Sequence, residues 1–142
     1  MTLIQETSFG IIPLHLSEEG WKTLIICHTL GGHWAFPKGR QEVGEMALET
    51  ARRELFEETG LSIETVLSQD SFIEQYELIR DTRVLKTVHY FPAVVKGELK
   101  LQEEEVSHAK WVLLKEAPQL LTFQKTTDTY LTVLSHLQHI LG

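Results

Sequence analysis

Cysteine is nearly missing: Cys27 is the single one in 142 residues. No intrachain disulfide can form, which excludes a small disulfide-stapled scaffold. The thiol lies in the apolar run Leu24-Ile25-Ile26-Cys27, where a buried, inert role is the default. Only four prolines and nine glycines are present, with no Pro/Gly-rich tract, so collagen-like and disordered readings drop out. No apolar run approaches the ~20 residues of a membrane-spanning helix, and no membrane partner is expected. Met1–Ile12 has neither a basic start nor a continuous apolar stretch, so no secretory leader is expected and the cytoplasm is the expected compartment. Positive charge is also short. Thirteen Lys and Arg against twenty Asp and Glu give a net charge of −7 with histidine neutral. Long nucleic acid is therefore not an expected partner, because a sequence-independent grip on it needs neutralising cations. A local basic pocket for one phosphorylated small molecule remains compatible.

What is present suits a globular chain. At 42% hydrophobic, 142 residues can bury a core without staples, and residues 1–142 read as one domain, expected to be a monomer. Residues 8–16 and 21–28 read as strands separated by the polar turn Ser17-Glu18-Glu19-Gly20. Gly31-Gly32 turns the chain into the short extended piece His33-Trp34-Ala35-Phe36, which Pro37-Lys38-Gly39 ends. From Ala47 to Thr59 the period becomes helical, with Leu48, Ala51 and Leu55 on one side and Gly60 placed to stop the helix. Residues 63–79 and 83–95 read as two longer strands joined at Arg80-Asp81-Thr82. An acidic loop, Glu103-Glu104-Glu105, precedes a short strand at 110–114. Leu131, Leu134, Leu137 and Ile140 predict an amphipathic helix over 126–141. Strands interleaved with two helices predict a mixed α/β layered fold.

The chemistry concentrates on the first helix. Glu54, Glu57 and Glu58 stand at i, i+3 and i+4, within about 100° of one another on a helix. Their face borders the Leu48/Ala51/Leu55 face. Like charges crowded beside a core repel one another unless cations neutralise them, and a hard divalent ion is the natural neutraliser: magnesium, or manganese in its place. The plainer alternative is a solvated glutamate face laced with weak pairs to nearby arginines.

The wider spacing decides between them. Gly39, Glu45, Arg53, Glu54, Leu55, Glu57, Glu58, Gly60 and Leu61 fall at all nine specified positions of a 23-residue pattern. A chance match at one starting position is on the order of one in a billion from ordinary residue frequencies. The pattern resembles the signature box of the Nudix hydrolases. That resemblance implies an α/β/α sandwich with a central mixed sheet, and it implies roles for residues. Glu54, Glu57 and Glu58 become the magnesium-binding, water-activating carboxylates, with the Lys38 backbone carbonyl beside them. Arg53 pairs with a box carboxylate, Glu45, and Gly39 and Gly60 supply loop conformations. Glu54 is preferred as the base, with the acidic loop, through Glu105, as its rival.

The flanks narrow the resemblance. His33-Trp34-Ala35-Phe36-Pro37-Lys38-Gly39, Lys86-Thr87-Val88-His89-Tyr90-Phe91, Glu105 six residues before Trp111, and Leu121-Thr122-Phe123-Gln124-Lys125 resemble segments of the diadenosine tetraphosphate hydrolases. Carried over, Tyr90 and Phe123 are walls for an adenine, each with core packing as its alternative. Lys38 and Lys86 are phosphate cations, and His33 is a phosphate hydrogen-bond donor or a structural histidine. Glu105 joins the metal and catalytic set. His89 points to the opposite face from Tyr90 and reads as structural. Val43 and Arg40 depart from the usual proline and histidine, and Arg40 adds a cation near the phosphates. The expected activity is magnesium-dependent hydrolysis of dinucleoside polyphosphates, chiefly diadenosine tetraphosphate to ATP and AMP, by water attack on phosphorus. The rivals are a Nudix pyrophosphohydrolase of RNA 5′ ends and a Nudix-fold nucleotide sensor without turnover.

Overall fold

Period-two alternation places side chains on both faces of a central sheet. In the computed structural model, which describes residues 2–142, β1 (Leu3–Ser17) turns at Ser17–Gly20 into β2 (Gly20–His28). Two short strands follow, β3 (Trp34–Ala35) on β2 and β4 (Lys38–Arg40) on β1. After α1 (Ala47–Thr59) come β5 (Ser62–Val66), β6 (Phe72–Ile79) and β7 (Arg83–Lys96). β8 (Val106–Leu113) pairs with β2. A 3-10 turn at Leu114–Glu116 leads into α2 (Ala117–Leu120), α3 (Gln124–His136) and α4 (Gln138–Leu141). β1 and β7 run parallel at the centre, from Leu3 opposite Arg83 to Leu14 opposite Val94, and the remaining pairings are antiparallel.

Neighbouring residues of β1 serve opposite layers. Ile11 packs with Leu24, Ile26 and Phe91 under Ala51 and Leu55 of α1. Ile12 and Leu14 pack with Ile25 and Val88 under Ala117, Tyr130, Val133 and Leu137 of the C-terminal helices. Each fully buried aliphatic side chain contributes roughly 1.5–3 kcal/mol. The result is the α/β/α sandwich with a central mixed sheet that the resemblance implied. Among the described residues no helix is long and apolar enough to cross a membrane.

Four boundaries differ from expectation. β1 begins at Leu3 rather than residue 8, because its polar first half is held by parallel pairing to β7. The segment 63–79 is two strands, since β5 and β6 occupy successive halves of one edge of β7, broken at 67–71. β8 starts at Val106, four residues early, on its ladder with β2. The C-terminal helix breaks at Leu137, and its buried face is Thr126, Tyr130, Val133 and Leu137. Leu131 and Ile140 are exposed instead. A strict spacing of three turns back 60° at each step of a 3.6-residue helix, so that leucine series winds half-way around it.

Candidate active site

The glutamate ridge sits where the last turns of α1 meet β4. Gly60 ends the helix at φ 79°, its N–H donating to the Phe56 carbonyl at 2.8 Å. This stop lets the chain turn directly into β5. Ala51 and Leu55 anchor the inner face at zero exposure, and Glu58, one turn beyond Leu55, is carried inward with them to 2% exposure. Its Oε1 accepts from the Lys38 N–H at 3.2 Å, which ties β4 to the ridge. A methyl at Gly39 would overlap the Glu54 carboxyl where it stands, so the glycine leaves that side chain its place against β4.

Arg53 organises the outer side. Its Nε and Nη2 fork onto Glu45 at 2.6 and 3.0 Å. The same Nη2 donates to the Arg40 carbonyl at 2.9 Å, while Nη1 reaches Glu54 at 2.9 Å and Glu57 at 3.2 Å. Glu45 also accepts from the Glu42 N–H and the Thr50 hydroxyl. The Arg53 hydrogen bonds hold Glu45 down at about 2, so it is an ionised structural anchor. The inner carboxyls behave oppositely. Burial pushes Glu58 up to about 8, with repulsion from Glu54 adding to it, and burial also raises Glu54 against the pull of Arg53.

Glu105 arrives from the other side. The loop before β8 is stitched to the end of α1 by Lys100 N–H to Thr59 carbonyl (2.8 Å) and Gln102 N–H to Glu58 carbonyl (3.2 Å). The Glu105 charge is near enough to raise both Glu54 and Glu58. Cations line the opposite flank. Lys86 Nζ donates to the Ser8 hydroxyl at 2.8 Å, and burial, then Lys38, depresses its pKa. Glu6 is shared by Arg40 (2.5 Å), Arg80 (2.6 Å) and Lys86 (3.8 Å), leaving positive charge in excess. His33 stacks on His28 at 4.5 Å and leans on Phe123 at 5.4 Å. Burial lowers the pKa of both histidines, His28 to about 3, so both rings are neutral.

Most of the expected residues thus converge, but Tyr90 does not offer a stacking face. It has zero exposure, with its edge against Phe36 at 5.8 Å, and it packs beneath the C-terminal helices. The sheet brings Tyr76 to the cleft instead. Tyr76 lies opposite Lys86 on β6, at the sheet margin. With Phe123, 52% exposed at the start of α3, it lines a cleft of about 430 Å³ whose other walls include Glu74 and Lys125. The available signal was strand pairing: the residue opposite Lys86 shares its face. His28, also missed, reads in the sequence as the polar end of a buried strand. The Nδ1 of His89, expected to be structural, lies 2.9 Å from the Ser71 hydroxyl.

The donor set suits a divalent cation. Hard oxygen ligands stand at helical spacing, and Glu58 is buried with no cationic side chain bonded to it among the described residues. Among the described residues no three carboxyl or imidazole groups yet converge to enclose an ion. Arg53 holds Glu54 and Glu57, and the Lys38 N–H holds Glu58. Magnesium commonly uses one or two carboxylates, waters and substrate phosphates, which this ridge can supply.

A mixed sheet between helical layers, with a glycine-led loop feeding a glutamate ridge on the first helix, defines the Nudix-type sandwich. Residues 7–133 match the NUDIX domain model, and the chain belongs to that family. The family generally uses a divalent metal such as Mg²⁺. The asymmetrical bis(5′-nucleosyl)-tetraphosphatase of Rattus norvegicus is 36% identical over 100 residues, covering 68% of this chain and 67% of the relative. A Mycobacterium tuberculosis mutator protein, MutT4, is 40% identical over 91 residues, 63% of this chain. That match spans 36% of the relative's length. In fold, the chain is similar to a Caenorhabditis elegans Ap4A hydrolase (TM-score 0.78, 20% identity, 95% and 99% of the two chains).

Proposed function

We propose that the protein hydrolyses dinucleoside polyphosphates with magnesium, chiefly diadenosine tetraphosphate to ATP and AMP. One observation carries this reading. The carboxylate ridge, the Lys38/Lys86/Arg40 cations and the Tyr76/Phe123 cleft neighbour one another, as metal, polyphosphate and base require. The sequence likeness to the rat tetraphosphatase supports it.

Glu54, Glu57 and Glu58, with the Lys38 carbonyl, are the residues to hold the cation. When bound, the metal supplies charge neutralisation at the phosphates and a more acidic water. Lys38 and Lys86 fix the polyphosphate for in-line approach, and His33 donates to a phosphate oxygen. Tyr76 and Phe123 hold the base between π-faces. Water's oxygen bonds to phosphorus as a bridging P–O bond breaks. Glu54, already raised by burial, takes the water's proton, and the nucleotide leaves on the broken oxygen. Glu105 is the other carboxylate within reach of that role, so Glu54→Gln is expected to lower kcat more than Glu105→Gln.

The test supplies purified protein and Mg²⁺ with dinucleoside polyphosphates, nucleotide sugars, oxidised nucleoside triphosphates and 5′-triphosphorylated RNA, and identifies products by chromatography. Diadenosine tetraphosphate giving equimolar ATP and AMP is the expected result. Preference for RNA 5′ ends or a nucleotide sugar would overturn the substrate. Binding without turnover of any of them would leave a sensor.

A further inference from the structure

Three strands bring charged side chains to one face of the sheet. Glu6 on β1 stands opposite Lys86 on β7, and Ser8, two residues on, stands opposite Arg40 on β4. Alternation gives Glu6, Lys86, Arg40 and Lys38 the same face. Lys38 and Arg40 flank Gly39, which lies against the Glu54 carboxyl, and Arg53 holds the Arg40 carbonyl at 2.9 Å. The Lys38 charge reaches both Glu58 in the ridge and Lys86. Arg80 comes from the turn between β6 and β7, where its N–H donates to the Thr82 carbonyl at 3.0 Å.

Glu6 gathers these cations. Nη2 of Arg40 and Nη2 of Arg80 meet the same oxygen, Oε2, at 2.5 and 2.6 Å, and Lys86 Nζ lies 3.8 Å from Oε1. Two guanidinium groups on one oxygen stand side by side, and one carboxylate cannot neutralise three cations. Like charges so crowded repel, and a fold that needed only a strap from β1 to the turn would be better served by one arginine. The Arg40 and Arg80 side chains are 62% and 54% exposed, so both forks are open to a ligand from solvent. A phosphate group, whose oxygens match guanidinium forks, is the anion this pair fits.

We propose that Arg40 and Arg80, held in place by Glu6, form an outer phosphate subsite that selects a chain of four phosphates over one of three. This rests on the polyphosphate reading given above. Lys38 and Lys86 hold the inner phosphates, and the arginine pair takes the next one along the chain. Glu6 is a positioning residue, which touches the arginines and not the substrate. Long exposed side chains lose rotamer freedom when they bind, and the Glu6 tether removes part of that cost before the substrate arrives.

The experiment measures kcat and KM for diadenosine tetraphosphate and diadenosine triphosphate in wild type, Arg80→Gln, Glu6→Gln and the double variant. Wild type is expected to favour the tetraphosphate through a KM about 10-fold lower, the worth of a charge-assisted contact. Arg80→Gln is expected to erase most of that difference, raising KM for the tetraphosphate more than it lowers kcat. Glu6→Gln is expected to do the same, and adding Arg80→Gln to it costs little more, because the two act as one unit. If Glu6 were merely a negative charge near the phosphates, Glu6→Gln would tighten binding of both substrates. That result, equal KM values in wild type, or an Arg80→Gln loss that falls equally on both, would overturn the proposal. Should wild type cleave neither substrate, the hydrolase reading fails by itself. Calorimetric binding of inorganic tetraphosphate against inorganic triphosphate, in EDTA, then decides: a preference for the longer chain that Arg80→Gln removes supports the subsite, and equal binding refutes it.

Discussion

Two residues carry opposite electrostatic duties on one helix. Arg53 spends its whole fork on Glu45, Glu54, Glu57 and the Arg40 carbonyl, which a lysine's point charge cannot reproduce. Arg53→Lys is therefore expected to lower kcat about 100-fold by misplacing the ridge, and to lose ~1–3 kcal/mol of stability in urea unfolding. Glu58 makes a pH prediction. Its pKa rises from the ordinary 4.5 to about 8 on folding. Between those values the folded metal-free protein binds more protons than the unfolded chain. Its stability therefore falls as pH climbs from about 5 to 8. Added Mg²⁺ needs the ionised form, so its gain in Tm is expected to be larger at pH 8 than at pH 6. Thermal scans with EDTA or Mg²⁺ check both. At this scale the ridge was legible in the sequence, because three glutamates at helical spacing inside a nine-position pattern leave little freedom. The burial of Tyr90 was not legible, because alternation gives the face of a residue and not how far along the strand the covering helix extends.

Elements explain which parts of the fold could be read. α1 matches its expected bounds, since an apolar stripe and a terminal glycine define both its face and its end. Gly60 at φ 79° predicts that Gly60→Ala costs about 1–2 kcal/mol, measured as a lower urea midpoint with an unchanged slope. α3 was misphased because its buried line contains threonine and tyrosine, Thr126 and Tyr130, while leucine also stands on its exposed side. The break between β5 and β6 was invisible because it comes from two strands sharing one edge of β7, a long-range fact. The loop that delivers Glu105 is likewise set by main-chain bonds to α1 that no local pattern reports.

The whole molecule is negative at −7, yet Lys38, Lys86, Arg40 and Arg80 stand near one another. That local reversal favours a compact polyanion over a long nucleic acid. The cleft at its margin gives a separable test. Phe123→Ala is expected to raise KM for diadenosine tetraphosphate with kcat little changed, since base stacking is worth roughly 1–3 kcal/mol and lies away from the reacting phosphorus. Steady-state kinetics on the variant checks it. The central claim concerns the ridge itself, and calorimetric titration of Mg²⁺ at pH 8 tests it most directly, with and without AMP, on wild type and on the Glu54→Gln/Glu58→Gln double variant. Saturable uptake by wild type that the double variant loses is the predicted result. No uptake by wild type under either condition, or equal uptake by the variant, would contradict the account.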